Sequence, residues 1–294
     1  MVLHKVTIGI PTFNEEKNIL NLLRCLERDI SKDYIIIEVI ISDDSSDNTP
    51  ELVCNYIKNS SLNIKLEHHD SRRGAAAAWN EIFDKSTGDI VVLYDADILL
   101  EDSCTQQLVS TIREGVGLCA SNPKPVPVKG LVNNASIFIS SWLRSIRKNR
   151  LSKYTAMGRA LSIRSNLAEK ISIPHDIIAI DLYLQCKVLE YGSYVVYNDD
   201  AVVYFSPAKS MSDFASQIIR AVSGYKQIHK YVRRFELNLP KKILILKTVQ
   251  NMVDNPIGAI SALICYVLIP FYKLRMQGVN SAIWHPAKTT KSIG

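Results

Sequence analysis

Apolar runs and amphipathic stretches alternate along the first third of the chain. Val6 to Pro11 (VTIGIP), Tyr34 to Ser42 (YIIIEVIIS) and Ile90 to Leu93 (IVVL) are continuous and rich in β-branched residues. Parallel strands covered on both faces have this pattern. Asn63 to His69 alternates as a further strand. Between the strands, the spacing of Ile19, Leu22, Leu23 and Leu26 predicts a helix, with Asn14 as its expected N-cap and Glu15 and Glu16 in the first turn. Further helices are expected from Pro50 to Lys58 and from Arg73 to Lys85. Strand and helix in strict alternation with short connections imply a doubly wound, mainly parallel sheet with helices on both faces.

Beyond residue 100 the pattern loosens. Ser103 to Arg113 reads as a helix, Gly117 to Ser121 as a strand, and Asn122 to Pro127 as a rigid extended connector. Leu131 to Arg147 has helical spacing with a very apolar face and a basic end, and Met157 to Ile163 reads as a strand. Ile243 to Val253 is short and amphipathic. Pro256 to Tyr272 carries no charge and ends at Lys273 and Arg275. At about 1.5 Å per residue that run extends roughly 25 Å, against a hydrocarbon core of about 30 Å. A buried helix is the competing assignment. The flanking basic residues favour attachment to an anionic membrane, as a span, a re-entrant hairpin or an interfacial segment.

Composition narrows the class. The chain has 294 residues, 47% of them apolar and 22% charged, enough for one large α/β core with an appendage. The net charge of +6 is concentrated in two groups. One is Arg144, Arg147, Lys148, Arg150 and Lys153; the other runs from Arg220 through Lys226, Lys230, Arg233, Arg234, Lys241 and Lys242. No helix-turn-helix, zinc-finger or RNA-recognition signature accompanies them, so a nucleic-acid partner is not expected. Anionic lipid or a diphosphate substrate suits the charge. The six cysteines (25, 54, 104, 119, 186, 265) show no metal-ligand spacing and read as buried free thiols in a reducing compartment. After Lys5 the chain enters a strand with no cleavage-site pattern, so no secretory signal peptide is expected.

The candidate chemistry sits where the strands end. Gly88 to Leu100 (GDIVVLYDADILL) closes its apolar run in Asp95-Ala96-Asp97. Ligands of open α/β sheets bind outside the carboxyl ends of the strands, and two Asp one residue apart suit a hard divalent cation on phosphates. A solvated acidic turn is the plainer assignment for so short a motif. Polar residues also close the first strand (Thr12 to Glu15) and the second (Asp43 to Asp47), and that convergence is more specific than any one motif. No GxGxxG follows the first strand and no Walker lysine loop occurs. His68 and His69 are adjacent on a strand, point to opposite faces and are taken as structural.

The segments PTFNEE (11–16), SDDSSDNT (42–49), RRGAAAAWN (72–80) and DAD (95–97) resemble glycosyltransferase family two, in the family's order and spacing. The resemblance implies a GT-A fold, a doubly wound mixed sheet with helices on both faces. It implies that Pro11, Thr12, Asn14 and Glu15 line the nucleoside pocket and that Asp43 or Asp44 accepts hydrogen bonds from base or ribose. An Asx-turn competes for the second motif, but fits Asp47 and Asn48 better than Asp43. It further implies that Asp97 holds Mg²⁺ or Mn²⁺ on the diphosphate, with Asp95 supporting it or contacting the ribose. Gly74 then permits close backbone approach to the donor. Arg73 is placed to offset phosphate charge, or is a solvated surface Arg.

Two later segments extend the resemblance. Ile180-Asp181-Leu182-Tyr183-Leu184 with Leu189-Glu190-Tyr191-Gly192 is similar to the family's Glu-Asp-x-x-Leu…Leu-Glu-x-Gly segment, with Ile180 where Glu is common. The resemblance makes Asp181 the catalytic base; a helix N-cap is its competing role and Asp176 the alternative base. Gln217 and Arg220 match the Gln-x-x-Arg-Trp segment of membrane-associated members such as cellulose synthases, with Ala221 in the Trp position. Together these readings imply a GT-A catalytic domain over 1–210, a basic amphipathic helical region over 211–242 and a hydrophobic membrane-associated segment over 243–294, with the catalytic domain facing the cytoplasm. The expected activity is inverting transfer of a hexose from a nucleoside-diphosphate sugar, UDP-sugar favoured, to a lipid-linked or glycan acceptor. A polyprenyl-phosphate sugar synthase and a non-catalytic nucleotide-sugar binding protein are the alternatives.

Overall fold

The computed structural model describes residues 3–148, 159–237 and 239–275. The Met157 and Gly158 end of one expected strand, and Arg150 and Lys153 of the first basic group, lie outside these residues. The parallel half of the sheet is built as the patterning predicts, from β1 (His4–Thr12), β2 (Tyr34–Asp43), β3 (Ile64–His68) and β4 (Ile90–Tyr94). Helices α1 (Ile19–Glu27), α2 (Thr49–Ile57) and α3 (Ala75–Lys85) connect them. β4 leads through Asp95–Asp97 into the short β5 (Ile98–Leu100), then α4 (Cys104–Thr111), β6 (Val116–Pro125), α5 (Leu131–Ile146), β7 (Ala160–Arg164) and the short α6 (Ser165–Ala168). α7 (Ile180–Glu190) and β8 (Tyr194–Phe205) complete the sheet. α8 (Met211–Gln227), α9 (His229–Arg234), α10 (Lys241–Asp254) and α11 (Pro256–Arg275) follow.

The eight strands lie in the order β3-β2-β1-β4-β7-β6-β8-β5. β1 pairs in parallel with β2 and β4, and β2 with β3. β7 then enters antiparallel to both β4 and β6, and β5 antiparallel to β8. The sheet is therefore mixed, as the GT-A resemblance implies, with its first four strands parallel. The antiparallel entry of β7 was not readable from its short apolar run, and the short β5 and the long β8 were absent from the expected elements. The expected connector after Ser121 is in part a strand: β6 continues through Asn122-Pro123-Lys124-Pro125, paired with Val202 to Phe205 of β8. Prolines are tolerated there because the parallel ladder is already irregular, shifting register between Ala120 and Asn122.

Alternate residues of each central strand feed two cores. Val92 and Tyr94 face the layer of α1, α2 and α4, while Val91 and Leu93 face α3, α6 and α7. At Gly9 the strand passes so close to α3 that an added Cβ would lie 2.4 Å from Ile82 Cγ2. A third cluster joins α5, α8 and α11 through Ala135, Phe214, Ala262 and Cys265, with Phe214 and Tyr266 edge to face at 6.2 Å. α10 is tied to α5 by Asn251 Nδ2 donating to the Phe138 carbonyl (2.9 Å) and Trp142 Nε1 donating to Thr248 Oγ1 (3.2 Å). Among the described residues no single helix is long and apolar enough to cross a membrane; α10 and α11 pass that test only together, bent by 118°. All six cysteines are unpaired, and Cys54 is exposed rather than buried as expected.

At the end of the sheet away from the candidate site, Glu38 is buried on β2. It accepts from Thr7 Oγ1, from the Thr87 amide and hydroxyl, and from Lys65, each at 2.7 Å. Burial pushes its carboxyl up, but Lys65 and the two threonines outweigh burial and hold it at about 2. A carboxylate depressed on folding stabilises the protein above its unfolded value of 4.5 and loses that contribution as pH falls towards 2. Glu38→Gln should lower stability at pH 7 by on the order of 2 kcal/mol. It should also flatten the acid limb between pH 4.5 and 2, read from urea unfolding across pH.

Candidate active site

The parallel strands bring Thr12, Asp43 and Asp95 to one edge, with Thr12 opposite Asp43 in the β1–β2 register. Asp43 is fully buried. Its carboxylate accepts from Thr12 Oγ1 at 2.6 Å, from Ser45 Oγ, and pairs with His68 Nδ1 at 2.7 Å. Asp44 turns the other way: it accepts from the Arg73 and Gly74 amides at 2.7 and 3.0 Å and from Arg73 Nε at 3.0 Å. Gly74 precedes α3 at φ 93°, ψ 167°, a backbone conformation close to glycine-only. Both carboxylates thus hold the edge together. His68 and His69 diverge as expected, to Asp43 and to Glu81.

Asn14 is not the cap of α1, which begins at Ile19 after Asn18. It takes φ 55°, one of the conformations Asn tolerates, and binds the neighbouring loop. Its amide donates to Ser45 Oγ at 2.8 Å, and its Oδ1 accepts from the Ser46 amide at 2.8 Å. The Glu15 amide donates to Thr49 Oγ1 at 2.8 Å. Pro11 lies in β1 opposite Ser42. Arg73 also donates to Ser42 Oγ and to Glu81, at 3.0 and 2.9 Å. Its neighbour Arg72 stacks over the Phe13 ring at 4.0 Å and feels the charges of Asp44 and Arg220.

Asp95 and Asp97 follow β4. Asp95 keeps 36% of its side-chain surface open and Asp97 19%. Surrounding protein and then the Asp97 charge push the Asp95 carboxyl up; Arg159 and Arg220 pull it down, and Glu15 adds to the rise. Asp181 lies in the first turn of α7, where Ala179 and not Asp181 is the N-cap. Burial raises its carboxyl, against the Leu182 amide, Arg220 and Arg147. Burial lowers the Arg220 guanidinium on α8, while Asp181 and Asp95 raise it. One cation therefore acts on both carboxylates, and Asp95 and Asp181 share a single site. Gln217 is on the same helix, three residues before Arg220. Asp176 is exposed, its carboxylate accepting from Gln227 Nε2 at 3.4 Å.

Three guanidiniums of the site were not among the expected residues. Arg72, Arg147 and Arg159 lie far apart in sequence, and only the basic group around 144–153 hinted at Arg147. Arg147 is buried at the end of α5, 5.8 Å from the Tyr197 ring, and burial lowers it to about 10 against Tyr197 and Asp181.

No group of three or more His, Cys, Asp or Glu placed to hold a metal ion occurs among the described residues. Asp95 and Asp97 offer only carboxylate oxygens, the ligand type of Mg²⁺ and Mn²⁺. Two protein ligands leave the remaining positions to substrate phosphate and water, the usual arrangement for such ions on phosphates. The donor set fits.

Comparison with known proteins agrees with this geometry. The family model described as Glycosyl transferase family 2 matches residues 7–169, from β1 through α6 and including the Asp95–Asp97 edge. The chain belongs to glycosyl transferase family 2. Its fold is GT-A. The mannosyltransferase PcManGT from Pyrobaculum calidifontis, solved with GDP-Man and Mn²⁺, superposes with a TM-score of 0.63 at 22% identity, covering 98% of this chain and 83% of that one. S. aureus TarS 1-349 in complex with UDP-GlcNAc gives 0.54 at 18% identity, covering 93% and 92%. In sequence, the chain is similar to an undecaprenyl-phosphate 4-deoxy-4-formamido-L-arabinose transferase of Proteus mirabilis. The two are 26% identical over 164 residues, 54% of this chain and 49% of that protein. The matched stretch spans half or less of the curated relatives' own length.

The Asp44 turn generates a stability prediction. Asp44→Ala strands the Arg73 and Gly74 donors and should cost about 1.5–3 kcal/mol in urea unfolding. Gly74→Ala should cost about 1–3 kcal/mol through φ strain. Because both act on one turn, the double variant should lose less than the sum.

Proposed function

We propose that the chain is a metal-dependent, inverting glycosyltransferase acting from a nucleoside-diphosphate sugar, UDP-sugar favoured, on a lipid-linked or glycan acceptor hydroxyl. The observation that supports this most is Arg220, whose charge acts on Asp95 at the donor edge and on Asp181 at the start of α7. A leaving diphosphate and an attacking acceptor need those two groups in one space. Pro11, Thr12, Asn14 and Glu15 border the nucleoside, and the backbone at Gly74 approaches it. Through Asp44, Arg73 acts as a strut for that edge, and Gln217 and Arg220 face the donor from α8.

Asp181 takes the acceptor proton as the hydroxyl attacks the anomeric carbon. Burial strengthens it as a base, against the pull of the Leu182 amide and of the Arg220 and Arg147 guanidiniums. Arg220 neutralises charge developing on the departing phosphate oxygen. A Mg²⁺ or Mn²⁺ held by Asp97 and Asp95 would supply Lewis-acid neutralisation of the diphosphate. One displacement inverts the stereochemistry.

A second reading, a polyprenyl-phosphate sugar synthase, is favoured by Arg147 and Arg220 beside Asp181. An anionic acceptor would pair with such cations and needs no base. The similarity to the undecaprenyl-phosphate transferase supports the same class of acceptor. For either acceptor we propose attachment to the cytoplasmic face of a membrane through α10 and α11. Ile245, Val253, Ile257 and Phe271 there are exposed, and Lys241, Lys242 and Lys247 lie on α10.

The test is a thermal-shift panel of UDP-, GDP- and CMP-sugars, each with Mn²⁺, Mg²⁺ or EDTA. One nucleotide should stabilise strongly only with metal, and Asp97→Ala should abolish that metal-dependent part. No response to any nucleotide would remove the donor assignment. Asp181→Asn should leave donor binding within about twofold and lower kcat by about 10²–10⁴. An Asp181→Asn enzyme of full activity would select the phosphate acceptor.

A further inference from the structure

Arg159 reaches the donor edge from an unexpected direction. β7 runs antiparallel to β4, with Ala160 opposite Tyr94, and the Asp95 amide donates to the Arg159 carbonyl at 2.9 Å. Residues directly opposite in an antiparallel pair project from the same face, and Asp97 is two residues further along that edge. One atom, Arg159 Nη1, lies 3.4 Å from Asp97 Oδ1 and 3.8 Å from Asp95 Oδ2. Its guanidinium carbon sits 4.0 Å above the centre of the Phe205 ring, and Phe205 is held opposite Ile98 in the β5–β8 register. The strands that present the carboxylates therefore also present a cation between them and an aromatic plate beneath it.

We propose that Arg159 is the internal counter-ion of the Asp95–Asp97 pair and makes divalent-cation binding conditional on the nucleoside diphosphate. The inference rests on the donor-site reading above. In the free protein a single nitrogen occupies the space between the two carboxylates that a bridging cation would use. A divalent ion entering alone must displace that nitrogen or tolerate a like charge beside it, with the buried Arg220 cation also acting on Asp95. A bound diphosphate removes the conflict. Its oxygens offer the guanidinium a second set of acceptors with the planar geometry that arginine prefers, and the carboxylates are left to the metal. Stacking on Phe205 lets the guanidinium turn from carboxylate to phosphate without losing its apolar support. Arg159 is thus a positioning residue that couples two ligands, and linkage requires the coupling to be reciprocal.

The experiment titrates the full chain with MnCl2 alone, following free Mn²⁺ by electron paramagnetic resonance. UDP and GDP are then titrated in EDTA by calorimetry. Arg159→Gln should bind Mn²⁺ about tenfold more tightly than the unsubstituted protein in the absence of nucleotide, since a repelling charge is removed. The same variant should bind the nucleoside diphosphate several-fold more weakly in EDTA. Arg159→Lys keeps the charge but not the planar fork, so it should leave Mn²⁺ binding close to that of the unsubstituted protein and weaken nucleoside-diphosphate binding. A purely structural role would weaken both bindings, so opposite signs in one variant distinguish the two. The bond to the Asp95 amide uses the Arg159 carbonyl and survives substitution; Arg159→Met, which keeps a chain over Phe205, is the second variant should Arg159→Gln melt early. Unchanged or weaker Mn²⁺ binding in a folded variant overturns the proposal. Mn²⁺ binding that persists in Asp97→Asn instead overturns the metal-site reading beneath it.

Discussion

The donor edge depends on two adjacent carboxylates that point apart. Asp43 and Asp44 end β2 and cannot remain buried without donors. Asp43 draws Thr12 of β1, Ser45 of its own loop and His68 of β3 to itself, while Asp44 gathers the Arg73–Gly74 turn that starts α3. Segments from three strands and one helix are fixed by two side chains. Asn14 extends the same logic from the other side, accepting a left-handed φ in order to bind the Ser45–Ser46 backbone and hydroxyl. A site built on loops needs such supports, because its geometry must be held by residues that do not themselves react.

The antiparallel entry of β7 does for the second half what the parallel strands do for the first. It places Arg159 against Asp95 and leaves β6 and β8 to carry α5 and α8 around the same edge. The placement of α5 is set at its end by Asp199 of β8. The Asp199 carboxylate accepts from Arg144 Nε and Nη2 at 2.8 Å each and from Tyr197 Oη at 2.8 Å, with Lys148 at 3.2 Å. Arg144, despite the cost of burial, and then Tyr197 and Lys148 hold the Asp199 carboxyl well below the usual range. This clamp fixes the helix end from which Arg147 faces Tyr197 and Asp181. A charged cluster outside the site thereby sets the charge within it.

Much of this was legible in the sequence, for identifiable reasons. β4 and the site-proximal parts of β1 and β2 are covered on both faces, so their apolar runs end abruptly, and the Asp95–Asp97 edge could be located from Ile90 to Leu93 alone. Helix starts were less readable. Asn14 has the chemistry of a cap, but its side chain was claimed by a loop 31 or more residues distant. Strand direction was readable for the continuous apolar runs of the parallel half but not for the short β7, whose few residues carry no signal of their pairing; this hid the β4–β7 pair and with it Arg159. Arg72 and Arg73 show the same limit. Two adjacent arginines are indistinguishable as text, yet one stacks on Phe13 and the other is bound to Asp44, Ser42 and Glu81.

Arg220 links the two halves of the site, since its charge acts on both Asp95 and Asp181, and the sign of that link follows from charge. Burial favours the neutral form of Asp181, and Arg220 and Arg147 oppose it. An anion bound beside Arg220 on the Asp95 side offsets part of that cation's field at Asp181. The carboxylate then holds a proton more strongly than before the anion arrived. On the reading proposed above, donor binding strengthens the base at the moment an acceptor must be deprotonated. As the leaving diphosphate gains charge during transfer, the effect grows in the same direction. The path runs through one buried guanidinium, and it needs no movement of the backbone.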